Sequence, residues 1–239
     1  MDTILHKADT RGHASHGWLD AHHSFSFAGY YDPSRMHFGV LRVLNDDRVA
    51  PGMGFGMHPH DNMEIITIAL EGALKHKDNL GSEGVIRPGD VQVMSAGTGV
   101  VHSEFNPSKE ETVNLLQIWV IPNIRGAAPR YDQKTFDPAG RINGLQVVVA
   151  PEGEAEKDGA LWINQDAWFS LGQLDEGRSL TYRSRLEGNG SYIFVISGAL
   201  EVEGQKVEAR DGLGLTHFKE VSLRATADAQ FLIMDVPMM

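Results

Sequence analysis

The sequence predicts an all-β fold built as two similar barrels in tandem, and three observations carry that expectation. Apolar runs are short and regularly interrupted by turn residues, with 26 glycines in 239 residues. No segment combines a long helical period with caps at both ends. A seven-residue pattern recurs: Ile68-Ala-Leu-Glu-Gly-Ala-Leu74 matches Phe194-Val-Ile-Ser-Gly-Ala-Leu200. In both copies an apolar strand runs into a glycine turn and a second strand leaves it, the mark of a duplicated unit.

In order, strands are expected over 39–45, 63–71, 84–86, 91–94, 112–121 and 145–150, then over 167–174, 179–185, 192–197, 199–202, 212–215 and 230–235. Asp46-Asp47, Pro51-Gly52, Glu71-Gly72, Pro88-Gly89-Asp90 and Glu187-Gly188-Asn189-Gly190 supply the turns. Short helical turns are expected only at 133–136 and 151–157. Pro122, Gly126, Pro129 and Pro138 interrupt the pattern between the repeats. We therefore divide the chain into domains 1–130 and 131–239, each expected to pack on its own.

The formal charge is −11 and no basic run is present, which disfavours direct nucleic-acid binding. Cysteine is absent, so disulfides, Cys-ligated zinc, iron–sulfur clusters and thiol catalysis are excluded. No apolar stretch is long enough to span a bilayer, and residues 1–18 are polar and histidine-rich rather than leader-like. A cytoplasmic, membrane-free protein is the expectation.

His58-Pro-His60 and His102-Ser-Glu104 carry the chemistry. Alternate residues of a strand face the same way, so each pair presents two ligand-type side chains together. Two such strands side by side aim three imidazoles and a carboxylate at one point. That donor set suits Fe, Cu, Ni, Mn, Co or Zn, not Ca or Mg. Proline between the first pair suits a rigid rim strand, and Gly97-Thr-Gly99 allows close backbone approach before the second. Glu64 has the same parity as His58 and His60, so alternation alone leaves Glu64 and Glu104 competing for the fourth place. The other carboxylate would hold an imidazole in one tautomer. Phe38, Phe55, Met57, Met63, Met94 and Phe105 are candidates to line an apolar pocket. His6, His13, His16, His22, His23, His37, His76 and His217 are read as ordinary core or surface histidines. The second half has no ligand pair, so one metal site is expected, in the first half.

Gly52-(x)5-His58-x-His60-(x)3-Glu64-(x)7-Gly72 resembles the first cupin motif. Gly89-(x)5-Ser95-Ala-Gly97-(x)4-His102-(x)3-Asn106 resembles the second, with Ser95 where proline is usual. Arg11-Gly-His-Ala-Ser-His-Gly-Trp18, Phe25-Ser-Phe27, Tyr31-Asp-Pro33 and Leu41-Arg-Val-Leu-Asn-Asp46 are similar to the amino-terminal blocks of pirin. So are His58-Pro-His60-Asp-Asn-Met-Glu64 and Met94-Ser-Ala-Gly-Thr-Gly99 followed by His102-Ser-Glu104. The chain is identified by this resemblance as a pirin-type bicupin, similar above all to bacterial quercetinase-type members.

That resemblance implies two cupin jelly-roll barrels with one divalent metal in the first, iron being the first choice. It implies His58, His60, His102 and Glu104 as ligands, with Glu104 also the catalytic base and Glu64 left in the supporting role. It further implies a flavonol such as quercetin and O2 as substrates, and a depside and carbon monoxide as products. The alternative is a metal- or redox-dependent regulatory protein that binds a protein partner, with quercetin cleavage a side activity.

Overall fold

The computed structural model describes residues 1–239. Its strands are β1 (Asp2–His6), β2 (Gly12–Ser15), β3 (Leu19–His23), β4 (Leu41–Val49), β5 (Gly54–His60), β6 (Glu64–Glu71), β7 (Leu74–Asp78), β8 (Glu83–Ile86), β9 (Asp90–Ser95) and β10 (Val100–Phe105). They continue with β11 (Val113–Val120), β12 (Arg130–Thr135), β13 (Gly144–Pro151), β14 (Leu161–Ile163), β15 (Trp168–Leu174), β16 (Ser179–Arg183), β17 (Asn189–Val202), β18 (Gln205–Glu208), β19 (Gly212–Thr216) and β20 (Glu220–Pro237). One short helix, α1 (Ala155–Asp158), ends at Gly159, whose φ of 63° closes it in the left-handed region. The all-β bicupin architecture is thus realised. No helix is long and apolar enough to cross a membrane.

The first barrel closes a seven-stranded sheet, β12-β9-β6-β11-β4-β3-β2, over a four-stranded sheet, β5-β10-β7-β8. The second half forms one strongly bent nine-stranded sheet around β17 and β20. The two halves exchange material at their ends. β1, at the amino terminus, pairs with β19, and β12, which begins at Arg130, pairs with β9.

The large sheets face one another. Strands β6 and β9 carry apolar side chains on both faces, which buries them on both sides. Ile66, Ile68, Val91 and Val93 from the first half share one core with Phe169, Phe194, Leu232 and Met234 from the second. That cluster holds 26 buried residues, so the two halves do not pack independently, contrary to expectation. Each large side chain buried there contributes about 1.5–3 kcal/mol, and separating the halves would expose the part of that surface that lies between them. A second core of 15 residues, including Ile193, Leu213 and Phe231, fills the carboxy-terminal barrel alone.

Other differences are local. Residues 133–136, expected as a helical turn, lie in β12 and the chain just after it, because pairing with β9 supplies the hydrogen bonds. The expected turn at 151–157 narrows to α1. The strands expected at 192–197 and 199–202 run on as β17 through an irregularity at Gly198. There φ is +76° and a Cβ would lie 1.9 Å from the Asp228 carbonyl oxygen, so only glycine fits. β1, β2 and β3, polar and histidine-rich, were not anticipated as strands.

Candidate metal centre

β5 and β10 lie antiparallel with His58 directly opposite His102 and His60 opposite Val100. The ring centroids of His58 and His102 are 4.4 Å apart, those of His60 and His102 4.9 Å, and those of His58 and His60 4.8 Å. The register slips between His102 and Glu104, which faces Phe55. This bulge adds one residue to β5 beside Gly56 and re-aims the strand. The ligand atoms of His58, His60 and His102 all lie within 4.8 Å of one another, and Glu104 forms an equally tight group with His76 and His102. His102 is common to both. The two groups thus meet at His102, with His58 and His60 in one and Glu104 and His76 in the other.

The hydrogen bonds select which atoms are free. His58 Nδ1 donates to the Gly56 carbonyl at 2.8 Å, leaving Nε2 as its lone-pair donor. His102 Nδ1 lies 3.3 Å from His76 Nδ1, and His76 Nε2 lies 3.4 Å from Asp78 Oδ2. Asp78 is itself anchored by the backbone N–H groups of Leu80 and Ser82, each at 2.9 Å. With Asp78 accepting from His76 Nε2, His76 Nδ1 accepts from His102, and His102 Nε2 is left as a lone pair. That atom is buried and unpartnered, as is Glu104 Oε1. Two buried polar atoms left unpaired in the same cup would each cost about 1–3 kcal/mol. A cation bound between them removes both deficits.

The electrostatics agree. Burial and the neighbouring His58, His60 and His76 rings lower the His102 pKa to about 2, and burial with the His58 ring lowers that of His60 to about 4. Both imidazoles are therefore neutral ligands near pH 7. Burial raises the Glu104 carboxyl to about 7, partly offset by the hydrogen bond from Gln117. Gln117 Nε2 donates to Glu104 Oε2 at 2.8 Å, and Thr67 Oγ1 donates to Gln117 Oε1 at 2.9 Å. Gln92, opposite Thr67 on the same face, has both amide atoms buried and unpartnered.

Glu64 is not brought to this cluster. Asn62, at φ 44°, turns the chain between β5 and β6 and breaks the strand alternation on which the parity argument rested. Glu64 emerges facing the second half, where it accepts from Ser95 Oγ at 2.7 Å and Asn164 Nδ2 at 3.0 Å. It bonds no imidazole.

A cavity of about 500 Å³ lies beside His60, lined by it and Trp119 with Pro59, Val100, Val101 and Thr98 among others. The Trp119 ring stands edge-on to His60, centroids 4.8 Å apart. None of the six anticipated lining residues contributes to it. Phe38 packs on Tyr192 in the shared core, and Met63 and Met94 pack behind Trp119. Phe55 packs on Trp18, while Met57 and Phe105 are exposed. Sequence reading missed His76, Asp78, Gln117 and Trp119. The available signal for the first two was Leu74-x-His76-x-Asp78, an alternation that faces all three side chains inward. A second cavity, about 870 Å³, lies elsewhere, at the rim of the second half near Leu186 and Phe218, and brings no ligand set together.

Comparison with known proteins is consistent over the whole chain. Residues 5–120 match the family model described as pirin, and residues 147–236 match that of the quercetinase C-terminal cupin domain. The chain is 42% identical over 237 residues to quercetin 2,3-dioxygenase of Escherichia coli strain K12, covering 98% of both proteins. A pirin-like protein of Caulobacter vibrioides is 44% identical over 227 residues, covering 95% of this chain and 96% of that one. Among solved structures, the bacterial pirin YhhW of Escherichia coli in complex with nickel(II) superposes with a TM-score of 0.93 at 40% identity, over 100% of both chains. A quercetin 2,3-dioxygenase of Acinetobacter baumannii superposes with a TM-score of 0.78 at 26% identity, over 99% of this chain and 86% of that one. The conserved architecture, both family models and this full-length identity together make the chain a member of the pirin family of bicupins.

Proposed function

We propose that the protein is a metal-dependent dioxygenase that opens a flavonol such as quercetin with O2, releasing a depside and carbon monoxide. His58, His60, His102 and Glu104 would hold one divalent transition ion in the first domain, residues 1–130, and residues 131–239 would form a domain without metal. The observation that carries this reading is the pair of buried, unpartnered donors, His102 Nε2 and Glu104 Oε1, beside the His58 and His60 imidazoles, with a cavity lined by His60 and Trp119 next to them. The names of the Escherichia coli and Acinetobacter baumannii relatives support the reaction, and the nickel complex of YhhW supports a transition ion. Iron remains our first choice; Ni, Cu, Mn, Co and Zn suit the same donors.

The bound ion would supply Lewis acidity toward the flavonol oxygen and a place for O2 beside it. The protein does the rest. Glu104 accepts the proton of the flavonol 3-hydroxyl, for which a carboxyl lifted by burial is well matched near neutral pH. Gln117 fixes one Glu104 oxygen, so the other, Oε1, would share or release the ion as it receives that proton. Trp119 offers an edge and face against which a flat polyphenol packs. His76 and Asp78 hold His102 in the tautomer that keeps Nε2 free. Removing the hydroxyl proton makes the ring electron-rich, so that O2 adds across it and one ring carbon leaves as CO.

Turnover of quercetin under 18O2 tests the assignment. Both labelled atoms are expected in the depside and none in the CO. A depside labelled from water instead would exclude a dioxygenase.

A further inference from the structure

Away from the barrel interior, the β2–β3 hairpin gathers a second set of ligand-type side chains. His13 and His22 are directly opposite in the antiparallel register, and Asp20 lies two residues from His22 on the same face. The two imidazoles stack, with centroids 4.6 Å apart and planes 22° from parallel. His13 Nε2 lies 2.6 Å from Asp20 Oδ1 and His22 Nδ1 lies 3.9 Å from the same atom. All three ligand atoms fall within 4.8 Å of one another. Two ligands on a tetrahedral ion, each about 2.1 Å from it, sit about 3.4 Å apart. The two shorter separations bracket that value, so rotations of exposed side chains close the set without moving the backbone. β2 is the edge strand of its sheet, so the face is open and water can complete the coordination.

We propose that His13, Asp20 and His22 form a second, solvent-facing site for a late first-row divalent ion, Cu2+, Ni2+ or Zn2+, distinct from the barrel centre. Nitrogen-rich donors with one carboxylate select these ions over Ca2+ and Mg2+. The surrounding charges permit it. Arg11, which acts on His22, is engaged by Asp46 at 3.2 Å, which also accepts from Arg210 at 2.9 Å. An ion here would also bridge β2 to β3, stapling an otherwise open sheet edge.

The ion count per chain tests the proposal. Wild-type protein titrated with Cu2+, then washed of loosely held metal, is expected to retain two ions per chain. The His13→Ala/His22→Ala double variant should retain one, with dioxygenase turnover unchanged. The His58→Ala/His60→Ala variant should retain the hairpin ion, with a Cu2+ EPR spectrum showing nitrogen couplings that disappear when His22→Ala is added. Asp20→Asn should weaken binding at least tenfold while leaving the fold intact by circular dichroism. An ion count unchanged by His13→Ala/His22→Ala, or an EPR signal indifferent to His22→Ala, would overturn the proposal whatever becomes of the barrel site.

Discussion

Metal loading should expel a proton from one identifiable side chain. Before metal binds, burial holds the Glu104 carboxyl near a pKa of about 7, while His60 and His102, at about 4 and about 2, carry no proton to lose near neutrality. A carboxylate must be ionised to ligate. At pH 6, Glu104 is about nine-tenths protonated, and at pH 8 about one-tenth. Binding through this carboxyl should therefore release about 0.9 proton at pH 6, falling to about 0.1 at pH 8. Calorimetric titration with Zn2+ in two buffers of different ionisation enthalpy reads this number directly. Any protons contributed elsewhere cancel when the Glu104→Gln variant is measured in parallel. The expected difference is about 0.9 proton at pH 6, vanishing toward pH 8. Equal release from both proteins at pH 6 would refute Glu104 as a ligand that ionises on binding.

Three further outcomes follow from the same geometry. His76→Ala should weaken metal binding about 10–100-fold in a chelator competition, because His102 loses the partner that fixes its tautomer; unchanged affinity would dismiss the relay. Trp119→Ala should raise KM for quercetin about tenfold, the equivalent of about 1.4 kcal/mol, with kcat little altered and Trp119→Phe restoring most of the loss. The metal-free protein should lose stability at both ends of the pH range. Glu104, raised above its ordinary value, contributes stability that is full below about pH 4.5 and lost as pH rises through about 7, up to about 3 kcal/mol. His60 and His102, depressed, contribute stability that is present above about pH 6.5 and lost as pH falls toward about 4 and about 2. Denaturant unfolding from pH 4 to 9 checks this: Glu104→Gln should reduce the loss between about pH 4.5 and 7, leaving the part that buried Asp47, raised to about 8, contributes in the same sense.

The candidate ligand cluster was legible in the sequence because strand alternation holds within β5 and within β10, so His58 with His60 and His102 with Glu104 had to share faces. The same rule misled at Glu64, because a left-handed residue, Asn62, separates it from His60 and resets the alternation. Alternation also says that Met57, next to His58, and Phe105, next to Glu104, point away from the site, and both are exposed. Trp119 lay within an expected strand, yet its position over His60 depends on β11 joining β6 and β4, a pairing that local pattern does not encode. His76 was hidden by its flanking lysines, which give β7 a polar appearance although its alternate residues are buried. The shared core between the halves had a signal that was not used. β6 and β9 are apolar at consecutive positions, and a strand buried on both faces needs a second layer to cover it.

The central claim is that the His58, His60, His102 and Glu104 cup performs metal-centred flavonol cleavage. Its most direct test is the simultaneous measurement of O2 consumed and CO released by metal-loaded protein supplied with quercetin, beside the His58→Ala/His60→Ala variant. The account predicts one CO for each O2 in the wild type and none in the variant, with the variant still folded. No CO from wild-type protein loaded in turn with Fe, Cu, Ni, Mn and Co would contradict the claim and leave a metal-dependent binding protein in its place. CO release undiminished in the variant would contradict it equally.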